Sequence, residues 1–159
     1  MKSILSTQRR SWIARMGFMG VLLRLAPVLA TFNVMAKKSD AMEAIRLIVG
    51  ANTVYDGRIN LVIPPLVENG NLVVLKVAVE SPMNDSDYVK AIHIIAEGNP
   101  LPNIFSAYLT PRSGRANITT RVRLAESQRV WAIAEMSDGS FWRSYANTLV
   151  TLSACTEGL

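Results

Sequence analysis

About seven short runs of alternating apolar and polar residues occupy residues 57–152, and turn residues separate them. Alternation with a period of two is the pattern of a strand that has one buried face. About seven such strands, at regular spacing within roughly a hundred residues, are typical of an immunoglobulin-like β-sandwich. No internal repeat or low-complexity linker divides this region. The sequence therefore predicts an all-β domain of this kind, with a short N-terminal helix and an export signal before it.

The N-terminus has the layout of a cleaved export signal. Arg9 and Arg10 precede an apolar run that extends to about Ala30, and Arg15 and Arg24 interrupt that run. The run is therefore too short and too polar for a comfortable membrane-spanning helix, and it fits a signal that is removed. The paired arginines indicate the twin-arginine route of export. An uncleaved membrane anchor is the alternative.

Cleavage is expected after Ala36, or else after Ala30, because small residues suited to cleavage stand there. We therefore expect residues 1–36 to be the export signal, residues 37–152 to form the helix and the sandwich, and residues 153–159 to form a C-terminal tail. The mature protein is expected in the bacterial periplasm, without stable membrane insertion. That compartment is oxidising, so a free thiol there calls for a function.

The net charge of +5 comes from the N-terminus alone. Residues 1–36 contain five basic residues and no acidic one, so the remaining 12 basic residues are balanced by all 12 acidic ones. The mature chain has no basic patch large enough to indicate phosphate binding. We therefore expect no nucleic acid among its partners.

The helix is predicted over residues 39–50. Asp40 and Glu43 have the spacing of a capping pair, and Gly50 is a natural stop. Its apolar side chains are expected to pack across one end of the domain. The strands are predicted, in order, at residues 59–63, 73–79, 88–96, 103–109, 116–122, 128–136 and 141–152.

The sequence holds no recognisable catalytic or metal-binding set. Its single histidine, His93, lies inside an apolar strand, where a structural role is commoner than catalysis. A metal site needs a cluster of His, Cys or carboxylate ligands, and Asp85 and Asp87 lack the spacing of a calcium loop. No phosphate-binding glycine loop and no haem-attachment motif is present. We therefore expect neither an enzyme nor a bound cofactor.

Two groups of side chains have open interpretations. Arg115, Arg121 and Arg123 share one face of the fifth predicted strand, where they suit an anion, although a solvated or interface-facing strand explains them equally well. An aromatic group, expected to stack around the last hairpin, consists of Trp131, Phe141 and Trp142.

The only cysteine, Cys155, lies just beyond the last predicted strand. In that strand Thr148, Val150 and Leu152 are expected to share one face, and small or polar residues follow the cysteine. One cysteine cannot form an internal disulfide, and an odd thiol in an exported protein indicates intermolecular pairing or a reactive free sulfur. An incidental exposed cysteine is the alternative. The position favours a functional thiol.

Several blocks form an ordered set over nearly the whole mature chain: residues 89–94 (VKAIHI), 97–100 (EGNP), 109–111 (LTP), 114–116 (GRA), 120–128 (TRVRLAESQ), 134–142 (AEMSDGSFW) and 150–152 (VTL). In this order they resemble SoxY, the sulfur-carrier subunit of the bacterial thiosulfate-oxidising Sox system. The twin-arginine leader also fits that family.

The resemblance implies a carrier rather than a catalyst. SoxY proteins are immunoglobulin-like sandwiches that pair with a second sandwich, SoxZ, and hold sulfur intermediates covalently on a cysteine of a C-terminal arm, here Cys155. It also implies partner enzymes: a c-type haem protein (SoxXA) that conjugates thiosulfate to the thiol, a manganese hydrolase (SoxB) that releases sulfate, and, where present, a molybdenum–haem enzyme that oxidises the remaining sulfane sulfur.

The tail departs from the family pattern. The family brackets its cysteine with paired glycines, whereas here Ser153-Ala154 precede Cys155 and Thr156-Glu157-Gly158-Leu159 follow it. Residues with a Cβ atom restrict and widen an arm that glycines leave free. Glu157 and the terminal carboxylate add negative charge, which raises the pKa of a nearby thiol and opposes an approaching anion. The reach is less affected, because four extended residues from Thr151 span at most roughly 14 Å.

Three hypotheses follow, in decreasing order of support. The first is a periplasmic sulfur carrier that works through Cys155. The second is a diverged SoxY-like structural or binding subunit that keeps the partner interface and carries no sulfur. The third is an independent thiol enzyme such as a peroxidase, for which the sequence offers no residue to activate the thiol.

Overall fold

The computed structural model describes residues 26–153, and the side chains of residues 38–153. Contacts divide the chain into two units, Met1–Ala36 and Lys37–Leu159, and all of the strands belong to the second. Within the described range, no helix combines the length and the apolar character needed to cross a membrane.

One helix and nine strands make up the described chain. They are α1 (Ala26–Val49), β1 (Val54–Asp56), β2 (Ile59–Val62), β3 (Leu66–Asn69), β4 (Val73–Val79), β5 (Val89–Ala96), β6 (Asn103–Tyr108), β7 (Asn117–Val122), β8 (Gln128–Met136) and β9 (Phe141–Leu152), with a 3-10 turn at Pro111–Ser113 between β6 and β7.

The strands form two sheets. The larger one has the order β1-β9-β8-β5-β6, and β3 also pairs with β9, while the smaller one has the order β2-β4-β7. Most neighbours are antiparallel, but β1 and β3 both run parallel to β9, along different parts of it. The prediction of an all-β, immunoglobulin-like sandwich is confirmed.

The core lies between the two sheets, and strand alternation places it there. In β4 the side chains of Val73, Leu75, Val77 and Val79 are buried, and those between them are exposed or half-buried. The larger sheet contributes one face of each of its two central strands: Ile92, Ile94 and Ala96 from β5, and Val130, Ala132, Ala134 and Met136 from β8.

Residues 41–49 of the helix pack against the other face of the larger sheet. Ala41 packs with Ile95 and Trp131, and Val49 packs with Ile133 and Phe141. The predicted packing across one end of the domain is therefore wrong, because these contacts lie on a sheet face. They explain why both faces of β5 and β8 are largely apolar.

The helix begins earlier than the sequence indicates. Residues 39–49 are helical as predicted, but α1 starts at Ala26, so Asp40 and Glu43 lie inside it and do not cap its N-terminus. No glycine or proline interrupts residues 28–49, and nothing there forces a start at residue 39. The predicted end is accurate, since Gly50 follows with φ 63° and its N–H donates to the Arg46 carbonyl at 2.8 Å.

β1 and β3 are not among the predicted strands. Both strands are very short, and their pairing partner β9 lies more than 80 residues further along the chain. Pro64-Pro65 is unfavourable within a strand and Asn69-Gly70 is a turn dipeptide, and β3 lies between the two. The length of β9 is the one feature of the sequence that indicates additional strands. A strand of twelve residues has a long row of backbone N–H and C=O groups along its edge, which neighbouring strands can pair with.

Candidate functional site

The predicted functional thiol, Cys155, lies outside the described residues, so the site is described up to Ser153, where the chain leaves β9. The carbonyl of Leu152 accepts a hydrogen bond from the backbone N–H of Gly70 at 2.8 Å. Cys155 is the third residue after Leu152, which limits the distance between their Cα atoms to about 11 Å. The fixed point is thus one residue later than Thr151, the start assumed from the sequence.

The end of β9 is held by β3, by Pro64-Pro65 just before β3, and by Ser127. In the parallel register Leu149 stands beside Leu66, and Leu152 beside Asn69. The backbone N–H of Leu149 donates to the Pro65 carbonyl at 2.9 Å. Further bonds to β9 come from Thr148 Oγ1 to the Pro64 carbonyl at 2.7 Å, Thr151 Oγ1 to the Glu68 carbonyl at 2.9 Å and Val150 N–H to Ser127 Oγ at 2.9 Å.

The expected alternation of β9 holds until its last residue. Thr148 is buried and Val150 is half-buried, whereas Leu152, on the same face, is 65% exposed. The strand therefore leaves the core at Leu152 while its backbone is still bonded to Gly70. A tail that starts here extends from an anchored strand end.

Replacing Thr148 by valine is expected to destabilise the domain by about 1–3 kcal/mol, because Thr148 is buried and valine removes the hydroxyl that donates to the Pro64 carbonyl. Urea denaturation at 25 °C measures this change in the free energy of unfolding. Thr151→Val is the matched control, since Thr151 is exposed and water can replace its bond. Equal losses in the two variants would contradict the assignment of Thr148 as the buried anchor.

His93 is held in the sheet, far from the end of β9. Its Nδ1 lies 2.8 Å from Ser106 Oγ, and its ring meets the edge of Tyr108 at a centroid distance of 6.0 Å. His93 is paired with Ile133 of β8, which is in turn paired with Arg143 of β9. Arg143 precedes Leu152 by nine residues, so these two positions are about 30 Å apart along β9. A thiol–histidine pair within one chain is therefore beyond the reach of Cys155.

Burial lowers the pKa of His93, and the negative charge of Glu135 opposes this only in part. The unfolded chain consequently binds a proton at His93 more readily than the folded chain does. The free energy of unfolding is therefore not reduced by His93 above pH 6.5, the ordinary pKa of histidine, and it decreases as the pH falls below that value. We expect His93→Gln to lose less stability than the wild type between about pH 7 and about pH 5, as measured by urea denaturation. A parallel decline in both proteins would contradict the role given to His93.

The aspartates and arginines named in the sequence analysis do not form one site together. Asp87 belongs to a turn in which Asn84 Oδ1 accepts hydrogen bonds from the N–H groups of Ser86 and Asp87. Residues 26–153 contain no group of three or more His, Cys, Asp or Glu side chains placed to bind a metal ion. Arg115 is exposed two residues before β7 begins, whereas Arg121 and Arg123, also exposed, line one cleft together.

The aromatic residues do not form the single stack that the sequence suggested. Trp131 pairs with Tyr145 at a centroid distance of 4.9 Å, and Trp142 pairs with Tyr55 at 5.3 Å. Phe141 packs beneath the helix instead. The prediction fails because alternation sends Phe141 and Trp142 to opposite faces of β9.

Comparisons with known proteins agree with the resemblance seen in the sequence. The family described as "Sulfur oxidation protein SoxY" matches residues 45–155, more than half of the chain, and the match extends to Cys155. A comparison with curated proteins finds no match.

Among solved structures, the sulfur carrier protein SoxY from Chlorobium limicola f thiosulfatophilum is 23% identical, with a TM-score of 0.60 over 72% of this chain and 98% of that one. Superoxide reductase (neelaredoxin) from Ignicoccus hospitalis has a TM-score of 0.54 at 16% identity, over 61% of this chain and 94% of that one. Superoxide reductase from Nanoarchaeum equitans has a TM-score of 0.51 at 12% identity, over 60% and 99%. At these identities the structures show a shared fold alone, whereas the family match shows membership. The chain belongs to the SoxY family of sulfur oxidation proteins.

Proposed function

We propose that this chain is a periplasmic covalent sulfur carrier in thiosulfate oxidation, and that Cys155 is the attachment site. One observation carries the proposal: the family match extends to Cys155, three residues beyond a strand end that Gly70 and β3 hold in place. An anchored strand followed by a short tail suits a thiol that must be presented to other proteins.

The chemistry needs the thiolate and two outside agents. Attack of the Cys155 thiolate on thiosulfate gives Cys–S–S–SO3⁻, and the two electrons released pass to a c-type haem protein of the SoxXA kind. Hydrolysis of the S–SO3⁻ bond, for which a SoxB-like manganese hydrolase would be the catalyst, then adds the water oxygen to the sulfonate sulfur, so sulfate and two protons are released and a persulfide, Cys–S–S⁻, remains. A molybdenum–haem enzyme, where one is present, oxidises the remaining sulfane sulfur. This chain supplies the thiol and its presentation, and the partners supply the catalysis.

A SoxZ-like subunit is proposed as the stable partner in a heterodimer. The surface beside the base of the tail supports a protein contact. Leu66 and Leu149 are register neighbours on β3 and β9, and both are more than half exposed, as is Leu152 at the end of β9. Adjacent exposed leucines of this kind mark surfaces that another protein covers.

Export through the twin-arginine route is proposed for residues 1–36, with cleavage after Ala36. The packing of the helix supports retention of the chain beyond that point, because Ala41 and Val49 bury Ile95 and Ile133. N-terminal sequencing of the periplasmic protein is expected to give Lys37. A start beyond Ala41 would contradict the proposed boundary.

The altered tail favours a second candidate, a diverged SoxY-like subunit that binds SoxZ and carries no sulfur. The negative charge of Glu157 raises the pKa of a nearby thiol, and the absence of paired glycines restricts the backbone around Cys155. This candidate predicts a stable complex with a SoxZ-like protein in which Cys155 stays a bare thiol under thiosulfate-oxidising conditions.

Deletion of the gene tests the first candidate. We expect cells that lack it to stop consuming thiosulfate, and a plasmid copy to restore consumption. Tail variants extend the test: replacing Thr156 and Glu157 by glycine is expected to keep or raise the rate. Unchanged consumption after deletion, in cells without a second SoxY gene, would contradict the carrier assignment and favour the binding subunit.

A further inference from the structure

A cleft of about 490 Å³ opens between β7 and the loop that leads into β6. Arg121 and Arg123 line one side of it, and Leu101 and Asn103 line the other. β6 and β7 are edge strands of the two sheets, and residues of both line the cleft. The cleft therefore lies at an open edge of the fold, accessible from solvent.

The two arginines bring unpaired positive charge to this cleft. Among residues 38–153 neither guanidinium forms an ion pair, whereas Arg143 is bound to Asp56 at 2.8 Å and Lys90 is paired with Glu135. Asn103 adds a polar donor, because Ser106 Oγ donates to its Oδ1 at 3.3 Å and its Nδ2 group has no hydrogen bond in the same range. The two guanidinium groups carry positive charge, and the Asn103 amide places a further N–H donor beside them.

The cleft and the base of the tail lie at the same end of the domain. The backbone of Gly70 is hydrogen-bonded both to the end of β9 and to the residue that follows Arg123. The N–H of Gly70 donates to the Leu152 carbonyl at 2.8 Å, and the carbonyl of Gly70 accepts from the N–H of Leu124, also at 2.8 Å. Arg123 directly precedes Leu124. The Cα atom of Cys155 lies within about 11 Å of that of Leu152, and each added sulfur extends the reach by about 2 Å.

We propose that the cleft between Arg121, Arg123 and Asn103 binds the terminal sulfonate of a group carried on Cys155. The proposal deepens the proposed carrier function and rests on it. A thiosulfate-derived group, Cys–S–S–SO3⁻, ends in three oxygens that share a negative charge. Guanidinium groups bind such oxyanions through paired, charge-assisted hydrogen bonds.

This binding distinguishes two states of the carrier. The sulfonate-bearing form docks on its own domain while no enzyme holds it. After sulfate has been released, the persulfide offers a single sulfur and no oxygen acceptors, so it binds the cleft more weakly and the tail is set free. The arginines thus act as a retention site for one intermediate rather than as catalytic residues.

Chemical loading tests the proposal without any partner enzyme. Tetrathionate reacts with the Cys155 thiolate to give Cys–S–S–SO3⁻ and releases thiosulfate, while methyl methanethiosulfonate gives the neutral Cys–S–S–CH3 and releases methanesulfinate. Nuclear magnetic resonance of the purified, nitrogen-15-labelled mature protein, with any copurifying subunit, then reports the Nε–H signals of Arg121 and Arg123 and the side-chain amide of Asn103. We expect the anionic group to shift these signals and the neutral group to leave them in place.

Salt and variants complete the test. The shifts are expected to shrink in about 1 M salt, where the screening length is about 3 Å. Arg121→Gln/Arg123→Gln is expected to abolish the shift at Asn103, whereas Arg112→Gln/Arg115→Gln, with the same change in charge, is expected to preserve it. Arg115 lies six residues before Arg121, about 20 Å along the strand.

Three results would overturn the proposal: no shift with the anionic group, equal shifts with both groups, or the same shift from free sulfate at the protein's own concentration. The comparison of the anionic and neutral groups uses wild-type protein, so it tests the proposal even if a variant misfolds. A cleft without shifts would contradict only this inference, while a Cys155 that never carries sulfur in the cell would contradict the carrier function itself.

Discussion

Replacing Cys155 by serine is expected to abolish thiosulfate oxidation and leave the domain folded. Serine keeps the size of the side chain but offers no sulfur to which thiosulfate-derived groups can attach. Because Cys155 follows the last residue of β9, the free energy of unfolding is expected to change by less than about 0.5 kcal/mol. Thiosulfate consumption by cells that carry only the variant measures the first effect, and urea denaturation of the purified protein measures the second.

Ser153→Ala is the matched control for that experiment, since it changes the same tail by one atom and leaves the thiol intact. It is expected to keep the full rate of thiosulfate consumption. Wild-type activity in Cys155→Ser would reject the thiol as the attachment site. A variant that loses both activity and stability would instead give Cys155 a structural role that the proposal denies.

Replacing Leu75 by alanine is expected to destabilise the domain by about 2–5 kcal/mol. Leu75 is completely buried in β4, between the two sheets, so truncation removes apolar contacts and leaves a cavity. A domain of this size is stable by about 5–15 kcal/mol, and the loss is therefore a large share of the total. Urea denaturation at 25 °C, with the slope compared between variants, measures the change.

Leu72→Ala is the control for that change. Leu72 lies just before β4 and is 65% exposed, so the same truncation there is expected to cost less than about 0.5 kcal/mol. A register slip of one residue in β4 would move Leu75 to the outer face and reduce the difference between the two variants. Equal losses would therefore contradict the observed register.

The fold was predictable where local pattern and tertiary packing agree. The strand predicted at residues 73–79 is observed as β4, where alternation buries Val73 and Leu75. The strands predicted at 128–136 and 141–152 are observed as β8 and β9, which pair as a hairpin. Local pattern failed where pairing alone decides the structure. β1 and β3 are strands because β9 offers them its edge, and their own three or four residues carry no clear period.

The candidate attachment residue could be predicted from the sequence, but the hydrogen bonds that fix the end of β9 could not. Cys155 drew attention as the only cysteine, placed just after a strand. The residues that fix that strand end gave no local signal, because the bonds from Thr148 and Thr151 join β9 to residues 84 and 83 positions away. Gly70 illustrates the same limit. Asn69-Gly70 is typical of a turn, but the hydrogen bonds from the Gly70 backbone to Leu152 and Leu124 join residues that are far apart in the sequence.

The intact mass of the mature protein, purified from its own cells during growth on thiosulfate, tests the central claim most directly. The account predicts mass additions that match sulfur-containing groups on Cys155. They are expected to disappear after treatment with a thiol reductant and to be absent from Cys155→Ser. A bare thiol under these conditions, in a protein that still forms a complex with a SoxZ-like subunit, would contradict the carrier function and identify the chain as a binding subunit.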